Sequence, residues 1–174
     1  MAAIALFVAP VASGCYQNLD NTVSVMGPTG NGVQMEVGRL SVKNLTLVAG
    51  PEGRVASVVF TAVNNGEQAD AITGVTVAGT RATIRTAPLR VPPGGTVEVG
   101  GDSPNQVVVT GLTVPKGSYA DVAMSFRDAG SVTQEVLVVP AEGYYADYGP
   151  GANVIDNAKE AVKNAAAEAA ASKS

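Results

Sequence analysis

One cysteine, four methionines and no histidine make up the soft-ligand and proton-transfer inventory of this 174-residue chain. The missing imidazole removes the usual general base and the commonest metal ligand together. A Ser-His-Asp hydrolase and a His-ligated zinc site are therefore excluded. With no convergent acid pair at a visible spacing, the expectation is that the chain is not an enzyme. The single thiol, Cys15, ends an uncharged apolar run, Met1-Ala-Ala-Ile-Ala-Leu-Phe-Val-Ala-Pro-Val, through the small residues Ala12-Ser13-Gly14. A secretory h-region running into small residues is the pattern of an export signal. Directly before a cysteine it reads as a lipobox, with the thiol receiving a diacylglycerol. The other reading is a buried core cysteine, since a free thiol behaves as a small hydrophobe. No basic residue precedes the run, and the expectation is that the true start lies upstream of Met1. A lone cysteine suits lipidation better than a disulfide, which needs a second thiol. Two or three acyl chains hold firmly where one is marginal, so the expected location is the extracytoplasmic face of the cell membrane, lipid-anchored through Cys15.

The remaining constellations are weaker. Asp102-Ser103-Pro104-Asn105 offers oxygen ligands to a hard cation or, more simply, an Asx-type turn made by Asp102 and Asn105. Arg81, Arg85 and Arg90 fall close together, with Arg81 and Arg85 at even spacing on one expected strand. They are either a docking patch for an acidic partner or an ordinary solvated face. Tyr144, Tyr145 and Tyr148 form either a partner contact or a cluster packed back on the domain. Asn44-Leu45-Thr46 matches a glycosylation sequon, a weak motif. The net charge of −4, with no cluster of Lys and Arg, argues against a nucleic-acid partner. No Gly-rich loop joins a strand to a helix, so no nucleotide site is expected, and the pattern calls for no cofactor.

The elements that must position these residues are strands. The apolar fraction of 46% is mostly Val and Ala, with no Trp and three Phe, and β-branched side chains favour a pleated surface over a helical turn. Strands are expected at 40–47, 55–63, 72–77, 81–86, 95–99, 106–112, 118–126 and 131–139. In the seventh, Ala120, Val122, Met124 and Phe126 alternate with Tyr119, Asp121 and Ser125, the period of a strand with one face on a core and one toward water. Many short strands with turn signals between them and no intervening helix define an all-β sandwich. Four segments follow: a lipoprotein signal over 1–15, a flexible tether over 16–37, the sandwich over 38–141, and a linker with an Ala-rich tail over 142–174. The tail is helical by propensity but has too few large apolar residues for a buried stripe.

The run Ala56-Ser-Val-Val-Phe-Thr-Ala-Val-Asn-Asn-Gly66, then Asp70-Ala-Ile-Thr-Gly-Val75, resembles the opening of the PCu(A)C copper-chaperone domain. Pro92-Pro-Gly-Gly-Thr-Val-Glu-Val99, Val109-Thr-Gly-Leu112, Lys116-Gly117 and Phe126-Arg-Asp-Ala-Gly130 are similar to its later strands, and the order and spacing of these pieces carry the likeness across 38–140. With the lipobox, the chain resembles the LpqE-like lipoproteins of actinobacteria. The resemblance implies an immunoglobulin- or cupredoxin-like sandwich outside the membrane. It also implies a copper site built from two His and Met residues, including a His-x-Met pair just before the Gly-Leu step. Here that stretch is Gln106-Val-Val108, and the earlier His position falls near Arg85 or Thr86. Cu(I) needs thioether, thiolate or imidazole donors, which these residues do not supply. The expected metal set is therefore empty, and the expected function is that of an accessory or binding lipoprotein. By the resemblance, an envelope protein or a respiratory cytochrome oxidase assembly is the plausible client. The alternative is a copper chaperone that uses Met26, Met35 and Met124; against it, Met124 alternates with core residues and Met26 and Met35 fall in the expected tether.

Overall fold

The computed structural model describes residues 31–151. Cys15, Met26, the signal segment and the Ala-rich tail lie outside the described residues. Among the described residues there are eleven strands: β1 (Val33–Val37), β2 (Leu40–Ala49), β3 (Val55–Asn64), β4 (Asp70–Val77), β5 (Thr80–Arg81), β6 (Thr83–Ile84), β7 (Leu89–Val91), β8 (Thr96–Val99), β9 (Val107–Thr110), β10 (Tyr119–Phe126) and β11 (Ser131–Pro140). A short 3-10 helix, Gly143–Tyr148, follows. No described helix is long and apolar enough to cross a membrane.

The first sheet is built on β2 and β3, with β1 beside β2 and with β8 and β9 on the far side of β3; β6 closes on β9. The second runs from β5 and β7 through β4 and β10 to β11. Both are antiparallel, and β11 joins them. Its Tyr119-to-Ser125 partners lie on β10, whereas Val138, Val139 and Pro140 pair in parallel with Leu47, Val48 and Ala49 of β2. Phe60, Leu45, Leu47, Ile72, Val75, Val122 and Val136 meet between the sheets. The expected sandwich is therefore the observed architecture, and each alternating residue singled out on β10 faces this interior.

Three expectations change. The tether of 16–37 is not tether at its end, because Val33–Val37 pairs with β2 and puts Met35 into the core at 5% exposure. Val33, Met35 and Val37 alternate with Gln34 and Glu36, a strand period that outweighs the Gly-rich composition before it. The strand expected at 81–86 is two. Arg81 ends β5 in the second sheet, Ala82 turns inward with its N–H on Val75 O (2.9 Å), and Thr83 opens β6 in the first. Leu89–Val91 is an additional strand, anchored by buried Leu89 and Val91 and paired to β4.

Asp70 fixes the β10–β11 turn to the start of β4. Its carboxylate accepts N–H groups from Ala71 (2.6 Å), Asp128 (3.1 Å) and Ala129 (3.0 Å). Burial pushes its pKa up, but the backbone donors, Arg127 among them, outweigh this and hold it below the usual aspartate value. A lowered folded pKa gives stability that is complete above the ordinary value and is lost as pH falls through the lowered one. Asp70→Asn, which turns an amide N–H toward donors, should cost about 1.5–3 kcal/mol at neutral pH. The difference from the parent in denaturant unfolding should narrow by about pH 3; an equal gap at both pH values would refute the assignment.

Candidate functional site

The positions that the sequence sets against a copper site come together in the fold. Strand β9 follows the loop 100–106, and β6 lies along β9 with Thr83 opposite Val108 and Ile84 opposite Val107. Just beyond that pairing Arg85 N donates to Gln106 O (2.9 Å), and Thr86 Oγ1 donates to Asn105 Oδ1 (3.1 Å). Residues far apart in sequence, 85–86 and 105–106, are therefore neighbours.

Amides and hydroxyls fill this place. Gln106 Nε2 donates to Gly101 O (3.0 Å) and Ser103 O (2.7 Å). Asn105 Nδ2 donates to Glu98 O (3.2 Å), as does Ser103 Oγ (2.7 Å), and Ser103 Oγ also accepts Asn105 N (3.2 Å). The loop closes on itself through Gly100 N to Asn105 O (3.0 Å) and Ser103 N to Gly100 O (3.2 Å). A turn thus forms where one was expected, but Ser103 and Asn105 make it, and Asp102 is simply exposed. These are hard, neutral donors already engaged with one another. Beside them in register, Ser57 faces Val108 and its buried Oγ finds no hydrogen-bond partner. The set does not fit Cu(I), which needs soft sulfur or imidazole. Among the described residues no group of three or more Cys, Asp or Glu could hold a metal ion.

Neither described methionine brings its sulfur to this place. Met35 on β1 and Met124 on β10, at 5% and 0% exposure, belong to the interior cluster, where a flexible thioether fills irregular gaps. The arginines do not share one strand. Arg81 pairs with Thr76 and Arg90 with Ala71 on β4, about 17 Å apart at strand rise. Arg85 belongs to the other sheet beside Gln106. All three are exposed.

A second feature adjoins the amide loop. The chain after β11 folds back so that Tyr144, Tyr145 and Tyr148, with Thr46, Val59, Thr61, Glu98 and Gly100, line a groove of about 720 Å³. Tyr144 meets Tyr145 edge to face (centroids 5.2 Å, 89° between planes) and stacks on Tyr148 (6.1 Å, 25°), geometries that aromatic quadrupoles favour. Tyr148 lies on Gly101, where a Cβ would stand 3.0 Å from its Cε1. Tyr148 therefore packs back on the domain, the simpler of the two readings, while Tyr144 remains 81% exposed. The groove was not foreseen. Its signal lay in Val59 and Thr61, the outward residues of β3 whose covering the alternation could not reveal.

No protein-family model and no curated protein matches the chain. Solved structures do. A copper-bound PCuAC domain from PmoF2 superposes with a TM-score of 0.56 at 23% identity, covering 62% of this chain and 97% of that one. The apo PCuAC domain of PmoF1 gives the same score and identity over 62% and 98%. The apo PmoF2 domain gives 0.55 at 24% over 63% and 97%. The fold of this chain is that of a PCuAC domain.

Gly100 is required where loop and groove meet. Its φ is +97°, and a Cβ there would stand 2.8 Å from Val59 Cγ2. Gly100→Ala should lower stability by about 1–3 kcal/mol, measured by chemical unfolding; an unchanged midpoint would show that the loop is not held as described.

Proposed function

We propose that this chain is a non-catalytic accessory or binding protein. It carries a PCuAC-fold domain without the usual copper site and is held at the extracytoplasmic face of the membrane by lipid on Cys15. The observation that supports it most directly is the place of the amide network: Gln106, Asn105, Ser103 and Thr86 stand together where the family resemblance sets its soft ligands. One of the similar domains is described as copper-bound, and its fold is shared here without a His to share its chemistry. The apolar run and small residues before Cys15 support the anchor. A protein partner in the envelope, a respiratory oxidase assembly by the resemblance, is the client this reading favours.

The rival reading, a copper chaperone using methionine sulfur, meets the burial of Met35 and Met124 in the core. Titration of Cu(I) into the purified chain separates the two. The expected outcome is no binding tighter than that of free methionine, and saturable tight binding of one equivalent would overturn the proposal. In the same assay, Gln106→His with Val108→Met should raise Cu(I) affinity, because imidazole and thioether are the donors the place lacks.

The anchor has its own check. In cells of a lipoprotein-processing bacterium the chain should fractionate with membranes and gain the mass of a diacylglycerol at Cys15. Cys15→Ala should release it; a membrane-bound variant would remove the thiol from the account.

A further inference from the structure

Among the described residues, the tyrosine groove is a concave surface whose chemistry points to an occupant. Its aromatic lining is clustered without a ligand: Tyr144 meets both Tyr145 and Tyr148, and Tyr148 rests on Gly101, contacts that restrain the rings before anything binds. Such rigidity lowers the ordering cost of association. Yet Tyr144 is left 81% exposed, one of two large hydrophobic side chains so exposed among the described residues.

The groove is also electrostatically one-sided. Glu98 is the charged residue in its lining, and no Lys or Arg joins it there. Exposed Glu142 and Asp147 flank the same tyrosines on the turn that carries them. Lys43 is the nearby cation, placed beyond Thr61 on β2 and outside the lining. Ring faces carry partial negative charge, so tyrosines and carboxylates ask for the same complement. The chain's own outlying segments do not provide it. Residues 1–30 hold one charge, Asp20, and 152–174 set Lys159, Lys163 and Lys173 against Asp156, Glu160 and Glu168. An anionic lipid surface would be repelled.

We infer that this groove docks a cationic segment of a partner protein, with arginine guanidinium groups laid over the exposed tyrosine faces and paired with the rim carboxylates. Arginine suits the place better than lysine because its planar, weakly hydrated group stacks on rings while still donating to carboxylates. The inference deepens the accessory-protein reading, on which it rests, by giving the partner's chemistry.

The test uses the full chain and a fluorescein-labelled peptide of alternating Arg and Gly, with its citrulline counterpart as the uncharged isostere. Fluorescence anisotropy should show saturable binding of the Arg peptide that weakens with salt, and none of the citrulline peptide. Tyr144→Ala, at an exposed site that leaves the core untouched, should weaken it about five- to tenfold. Glu98→Gln should weaken it severalfold, and Glu135→Gln, on the other sheet, should leave it unchanged. Equal losses at Glu98 and Glu135 would mean attraction to net charge alone and would overturn the proposal. So would citrulline binding equal to that of arginine, or capture of a neutral oligosaccharide such as chitohexaose in place of the peptide. Cu(I) titration of the Tyr144→Ala chain separates the failures: tight copper binding ends the accessory reading whatever the peptide does, and a negative peptide result leaves the copper result standing.

Discussion

The parallel pairing of Val138, Val139 and Pro140 with Leu47, Val48 and Ala49 is the constraint on which the rest of the molecule depends. Through it a single strand belongs to both sheets, so Phe60 and Leu47 from one layer and Val122 and Val136 from the other are brought into one interior. The same pairing directs the chain that leaves β11. Ala141 N donates to Ala49 O (3.0 Å), and the turn bearing the tyrosines then lies across β3 and Gly100. The interior mixes Val and Ala with larger side chains such as Phe60, Ile72, Met124 and Phe126, and the shared strand holds the two layers that supply them together.

A scaffold of this kind can keep its shape while its chemistry changes. The 85–86 and 105–106 segments are held by backbone pairing of β6 with β9 and by Arg85 N on Gln106 O, none of which requires a metal. The amide of Gln106 then bonds to carbonyls of its own loop, and that of Asn105 to the Glu98 carbonyl on β8. Such a network is satisfied in itself, and a hydrogen-bonded carboxamide has no incentive to exchange its partners for a soft cation that it binds poorly.

Much of the fold was legible because β10 and β3 obey period-two alternation and are flanked by Gly and Pro turns. What escaped has physical reasons. In β1 the alternation of Val33, Met35 and Val37 is real, but it follows a polar, Gly-rich stretch that by composition argues against order. At 81–86 the run looks like one strand, and only the inward turn of Ala82, made profitable by Val75 O, divides it between layers. The short strand Leu89–Val91 lies between turn signals and gains its order from β4. Of the site, the absence of imidazole could be read directly from composition, since no fold restores a residue type the chain does not hold. The groove could not be, because it depends on where a returning segment lands.

Among the described residues the outer margins of the sheets are formed by short pieces: β5 and β6 have two residues each, β7 has three and β8 has four. The longer marginal strand β1 is interrupted by an irregularity between Val33 and Met35 and carries charged Glu36. Margins of this kind give an incoming backbone almost no ladder to extend. Among the described residues the backbone therefore offers little for strand augmentation, and recognition of this domain falls chiefly to its side chains.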